Sequence, residues 1–134
     1  MWRRIRDILR SRLPAQTLGA RGETVAAHHL RAAGYRVLKR NARTRIGEVD
    51  IVAQAPDGRT IVIVEVKTGT AHDIPAEVHV NRAKQRKLAS LAQVLVRRHR
   101  WQDRPIRFDV IGIELRDDEQ PIVRHHVAAF ESHV

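Results

Sequence analysis

Residues 47–67 read GEVDIVAQAPDGRTIVIVEVK, two β-branched apolar runs on either side of Pro56-Asp57-Gly58-Arg59. Val and Ile fit a pleated surface, and Asp-Gly is a strong hairpin turn signal. A symmetric turn on Asp57-Gly58 opposes Asp50 to Glu65, Glu48 to Lys67 and Val52 to Ile63. Strand alternation then puts Val49, Ile51, Ala53, Val62, Val64 and Val66 on one face. The other face carries Val52, Ile61 and Ile63 and gives way at one end to Glu48, Asp50, Glu65 and Lys67. A hairpin that is apolar on both faces must be covered on both sides, so the rest of the chain has to supply two layers.

The flanking patterns supply them. Glu23 to Ala33 is helical, with Ala26, Leu30 and Ala33 at i, i+4 and i+7, Glu23 on the same stripe and Gly34 placed to end it. Tyr35 to Arg43 predicts a strand, and GTAHDIPAE (residues 69–77) a loop. Asn81 caps a helix running to about His99, with Leu88, Leu91, Ala92 and Leu95 inward and Lys84 extending the stripe by one turn. IRFDVIGIEL, residues 106–115, predicts a central or edge strand, RDDEQ a turn and PIVRHHV a last strand. Helix, three strands, helix, two strands is the order of an α/β sandwich around a mixed sheet. At 134 residues the chain is one such domain, over residues 21–134, preceded by a basic arm or short helix over residues 1–20. In that arm Trp2, Ile5 and Leu9 recur at helical spacing up to Pro14, and Gln16 to Gly22 reads as a linker.

Lys plus Arg number 25 against 15 for Asp plus Glu, a net charge of +10, with a pI near 11.4. That balance attracts polyanions: nucleic acid, or an anionic membrane surface. There is no cysteine, which excludes disulfides, thiolate zinc and cysteine nucleophiles. His28-His29 and His125-His126 are adjacent pairs, not ligands one helical turn apart. No apolar run approaches the roughly 20 residues of a membrane span, and the N-terminus lacks a signal peptide's apolar stretch, so a cytoplasmic location is expected. Aromatic residues make up 4%, which argues against recognition on a base-stacking platform and for backbone or shape readout.

Opposed carboxylates repel, so Asp50 facing Glu65 destabilises the sheet unless a cation lies between them. A hard divalent ion, Mg²⁺ or Mn²⁺, accepts one or two carboxylates and completes its shell with water and phosphate oxygens. Lys67, two residues on, adds a positive charge beside the attacking water or the transition-state phosphate. Glu23 is a further carboxylate within reach of the same place. The spacing equally allows a surface network in which Lys67 pairs with Glu48 and Arg45 with Asp50. Arg43, Arg45, Arg82, Lys84, Arg86 and Lys87 are the candidate phosphate contacts.

Gly22-Glu23, AAGYRVLKRNART, GEVDIVA, VIVEVKTG, the helix with Lys84, RFDVIGI and the ending from His125 to Phe130 together resemble the bacterial YraN family. That family is grouped with the PD-(D/E)XK nucleases and compared with archaeal Holliday-junction resolvases. The resemblance implies a restriction-endonuclease-like mixed sheet flanked by helices. It places the superfamily's aspartate on Asp50, its Glu-x-Lys on Glu65, Val66 and Lys67, with the Val66 carbonyl as a metal ligand, and its helical glutamate on Glu23. Thr68-Gly69-Thr70 stands where relatives carry an arginine, which puts one phosphate contact in doubt. Lys84 and Asp109 also match family positions; Lys84 alternatively snorkels, and Asp109 alternatively serves as a structural hydrogen-bond acceptor. The implied activity is metal-dependent cleavage of nucleic acid, DNA before RNA and branched DNA by analogy, in a homodimer where paired cuts are made. The alternative is a nucleic-acid-binding protein without catalysis. A membrane-surface role through the N-terminal helix would leave the hairpin charges unexplained.

Overall fold

The computed structural model describes residues 2–5, 17–70 and 80–132. Helix α1 (Leu18–Ala32) leads into strands β1 (Arg36–Thr44), β2 (Gly47–Gln54) and β3 (Ile61–Thr70). Helix α2 (Arg82–His99) and strands β4 (Ile106–Arg116) and β5 (Glu119–Phe130) follow. The strands form one sheet in the order β1-β2-β3-β4-β5. Only β3 and β4 run parallel, and α2 is the crossover between them. This is the mixed sheet flanked by helices that the sequence predicts.

Each helix covers one face. Val25, Ala26 and Leu30 of α1 pack on Ile51, Ala53, Val62, Val64, Ile111 and Ile113. Leu88, Leu91, Ala92 and Leu95 of α2 pack on Val52, Ile61, Ile63, Phe108 and Val110 on the other face. Burying each large side chain stabilises by about 1.5–3 kcal/mol. Strand β4 is central, with every residue from Phe108 to Leu115 buried, which resolves the choice between central and edge. Residues 2–5 are helical, and Ile5 is buried in the α1-side core; the rest of the predicted basic helix, including Leu9 and Pro14, lies outside the described residues. Among the described residues no helix is long and apolar enough to cross a membrane.

Helix α1 starts earlier than its apolar stripe does. Gln16 to Gly22 reads as a linker because Gly19 and Gly22 are poor helix formers, yet Thr17 caps the helix by accepting from the Ala20 N–H at 3.1 Å. Its other end is as predicted. Gly34 takes φ +89°, with Gly34 N–H donating to the Arg31 carbonyl at 3.1 Å and Tyr35 N–H to that of Leu30 at 2.9 Å. That pair of bonds is a Schellman cap. Gly69 and Thr70 belong to β3 rather than to the predicted loop; residues 71–79 lie outside the described residues.

The hairpin holds its predicted register over Ile51↔Val64, Val52↔Ile63, Ala53↔Val62 and Gln54↔Ile61. Asp57 sets the turn, its carboxylate accepting from Thr60 Oγ1 at 2.6 Å and from the N–H groups of Arg59 and Thr60 at 2.8 Å. Those bonds, the Thr60 hydroxyl first, hold its pKa down at about 2. Beyond Ile51 the ladder to β3 ends. The predicted Asp50–Glu65 and Glu48–Lys67 register pairs are therefore not formed, and Glu48 lies opposite Arg43 of β1 instead. Val49 also leaves the predicted face and packs on the α2 side, while Ile51 stays on the α1 side. The alternation breaks at Asp50, beside Asn41, which holds a left-handed φ of 52° within β1.

Candidate functional site

The end of the β2–β3 ladder creates the site. There the Val66 N–H donates to Asp50 Oδ2 at 2.8 Å, so a side chain takes the bond that a further ladder step would have used. Asp50 is thereby held at the mouth of the gap between the two strands, close enough to Glu65 for each charge to act on its neighbours. Glu65 is largely covered, its side chain 14% exposed, and Lys84 Nζ stands 3.5 Å from its Oε1. Lys84 owes its place to the start of α2, where Asn81 Oδ1 accepts from its backbone N–H at 2.8 Å. It is thus more than a snorkelling stem.

Glu23 reaches the cluster from α1. Buried Gly22 lies against Thr68 of β3 with no room for a side chain between them, which brings the next residue to the strand's end. With its amide nitrogen turned toward the carboxylates, Asn41 donates to Glu48 Oε1 at 2.8 Å and to Glu23 Oε1 at 2.9 Å. Lys67 bears on Glu65 as a nearby positive charge and lies opposite Gly112 of β4.

The electrostatics of the three carboxylates agree in sign. Burial pushes the pKa of Glu65 up, and the Asp50 charge adds to that against the pull of Lys84 and Lys67. Burial likewise raises Asp50, opposed by the Val66 N–H and Lys84 and reinforced by Glu48. Glu23 is raised by burial and then by Asp50, with Arg40 opposing. Each carboxylate resists ionising beside the others, the condition in which a cation is favoured. Among the described residues no three Asp, Glu or His side chains converge as a metal cage. The groups that could hold a hard ion are Asp50, Glu65 and the Val66 carbonyl, a set that would leave water and phosphate to complete its shell.

The six basic candidates divide. Arg43 stands 3.5 Å from Glu48, Arg45 is exposed in the β1–β2 turn, and the stem of Lys87 lies over Gly47, the first residue of β2. Of the six, Arg43 and Lys84 meet carboxylates of the cluster, Glu48 and Glu65. Arg82 and Arg86 do not join them; they line a groove with Glu131 and Ser132 on the other flank of α2.

A second polar network has no part in that cluster. Asp109, with its side chain wholly buried, receives Arg107 in a two-pronged pair at 2.9 and 2.8 Å and the Ala128 N–H at 3.0 Å. His125 Nε2 lies 2.7 Å from Asp109 Oδ2, and its Nδ1 lies 3.2 Å from His29 Nε2. Arg107 also donates to the Tyr35 hydroxyl at 2.7 Å. The structural reading of Asp109 is borne out, for its bonds tie β4 to β5. In sequence only the aspartate stood out, because its partners are spread from Tyr35 to Ala128. Asn41 was missed as well, its one signal being an asparagine inside a strand pattern.

The fold and cluster define a mixed α/β protein with paired carboxylates and two lysines at the open end of a hairpin. A family model described as "Uncharacterised protein family UPF0102" matches residues 22–113, and the chain belongs to that family. The UPF0102 protein of Pelobacter propionicus is 43% identical over 114 residues, covering 84% of this chain and 81% of that one. The relative from Geobacter metallireducens is 42% identical, covering 87% and 93%, and that from Symbiobacterium thermophilum 45% identical, covering 75% and 84%. Among solved structures the chain has a TM-score of 0.42 to a chain of an EndoMS–dsDNA complex, at 17% identity over 69% of this chain and 35% of that one. Its TM-score to Pyrococcus furiosus SfsA in complex with Ca²⁺ is 0.35, at 12% identity over 83% and 63%.

Proposed function

We propose that this chain is an Mg²⁺- or Mn²⁺-dependent endonuclease that hydrolyses phosphodiester bonds, DNA before RNA, in the cytoplasm. The observation that carries the reading is Asp50 and Glu65 held together where the hairpin opens, both driven by burial toward protonation and both bordered by lysine. In this reading Asp50, Glu65 and the Val66 carbonyl hold the ion, which when bound polarises a phosphate oxygen and lowers the pKa of water. Lys67 supplies positive charge where a nucleophilic water and the transition-state oxygens gather. Lys84 holds Glu65 in place through their ion pair, and Glu23, tied through Asn41 to Glu48, braces the rim. Arg43, Arg45 and Lys87 contact phosphates. The sequence resemblance is what favours branched DNA and a homodimer.

The second reading is a nucleic-acid binder without catalysis, which the Lys84–Glu65 pair favours because it occupies one carboxylate of the site. Labelled duplex, single-stranded and four-way-junction DNA incubated with Mg²⁺ or Mn²⁺ separates the two. Metal-dependent cutting that disappears in Glu65→Ala and Lys67→Ala supports the nuclease. Salt-sensitive binding without cutting, unchanged in both variants, supports the binder.

A further inference from the structure

Beside the acidic cluster, between β1 and the second half of α2, lies a groove of about 530 Å³. Its floor is apolar, made by Leu38, Ala42 and Leu95. Lys39, Arg43 and Arg98 stand on its rim, and among its described lining residues there is no carboxylate. Arg98 is held there by donating from Nη1 to the Arg43 carbonyl at 3.1 Å.

Its end wall is aromatic. Helix α2 stops where Arg100 takes φ 58°, and Trp101 turns back to donate its N–H to the Val96 carbonyl at 2.9 Å. That places the Trp101 ring on His99, with centroids 4.5 Å apart and planes inclined by 22°. A flat π surface, an apolar floor and a cationic rim are together the features that bind unpaired nucleotides: bases stack, and phosphates meet the cations. An apolar peptide would account for the floor but not for Lys39 and Arg98 on the rim beside Arg43, whose guanidinium also meets Glu48 at 3.5 Å.

The groove adjoins the candidate site through two residues: Asn41 lines it and donates to Glu48 and Glu23 of the cluster, and Arg43 lines it and lies 3.5 Å from Glu48. Resting on the nuclease reading above, we propose that the groove binds an unpaired nucleotide flanking the scissile phosphate, with its base against the His99–Trp101 pair and its phosphates on Lys39, Arg43 and Arg98. This gives the chain a preference for single-stranded tails or distorted duplex ends. Low aromatic content excludes a platform of several rings, not one stacked pair at a chosen place.

The sequence holds two tryptophans and one tyrosine, so in a Trp2→Phe protein, excited where tyrosine does not absorb, Trp101 is the sole reporter. Short oligothymidylate is titrated without metal against an abasic oligomer of equal length, with anisotropy of a label reporting binding. The expected result is quenching of Trp101 by the base-bearing strand alone. Trp101→Ala should weaken binding of that strand by about 5- to 100-fold, bring it level with the abasic one and leave the salt slope unchanged, while Trp101→Phe keeps most of the affinity. Arg98→Ala should instead make the salt slope shallower by about 0.7 on a single strand. Equal affinity for both oligomers, binding without a change in Trp101 emission, or no binding of either overturns the proposal. Cutting that depends on Glu65 with no Trp101 response would leave the nuclease standing and remove the groove. Quenching without any cutting would do the reverse.

Discussion

Gly22 of α1 packs so tightly on Thr68 of β3 that a Cβ built on the glycine would come within 2.7 Å of the Thr68 Cβ. The residue after Gly22 is Glu23 and the residue before Thr68 is Lys67, so this one contact sets how closely the helix brings its carboxylate to the charged end of the strand. Thr68 acts here as a packing surface for the helix.

Gly22→Ala should therefore lower stability by about 1–3 kcal/mol in urea or thermal melts, as overpacking does. Thr68→Ala in the same protein removes the hydroxyl and methyl that the new side chain meets, so part of the loss returns. The two changes should couple by more than about 0.5 kcal/mol; simple additivity would show that the contact does not hold the helix.

The raised pKa values of Asp50 and Glu65 make their charges unfavourable to the fold when no metal is bound. For a carboxylate raised in the folded state, the stabilisation is complete below its unfolded value of about 4 and is lost as pH rises through the folded value. At neutral pH, Asp50→Asn should melt higher than the native protein without metal. Mg²⁺ at ten times its Kd should stabilise the native protein by about 1.4 kcal/mol and leave this variant unmoved. Equal shifts in both would place the ion elsewhere.

Asp109 behaves in the opposite sense. Burial, its largest influence, pushes its pKa up, but His125, Arg107 and the Ala128 N–H together hold it below the usual carboxylate value. Its contribution is thus present above the ordinary value and lost as pH falls through the depressed one, below about pH 4. Asp109→Asn, which leaves Arg107 facing a neutral amide, should cost about 3–5 kcal/mol in equilibrium unfolding. A loss under about 1 kcal/mol would mean that Arg107 finds water instead.

His29 is held neutral by burial and then by its neighbour His125, which lower its pKa. The unfolded chain takes up that proton first, so stability should begin to fall as pH drops below about 6.5 and continue down to the folded value. The groups facing it are His125 of β5 and, through that ring, Asp109 of β4. Melting curves of His29→Gln between pH 7 and pH 5 should be flatter than those of the native protein. An identical slope would assign the acid sensitivity to another group.

What the sequence by itself determined is what neighbours along the chain can encode. The order of helices and strands, the Gly34 cap, the Asn81 cap and four register pairs of the hairpin all follow from apolar period, turn chemistry and capping, each of which acts within a few residues. The same logic found Glu23, Asp50, Glu65 and Lys67, because alternation and helical spacing sort side chains by face. The tertiary structure decided where the pattern stops. Asp50 takes the Val66 N–H, a competition between side chain and backbone that period alone does not register, and with it the predicted Glu48–Lys67 pairing disappears. Lys84 meets Glu65, Asn41 joins Glu48 to Glu23, and Asp109 gathers Arg107, His125 and Ala128, each through the depth at which one layer settles on another. Arg82 and Arg86 share the basic face of α2 in the sequence, yet the packed helix turns them away from the cluster. A residue's face is local information, whereas its partner is chosen by the packing of the whole core.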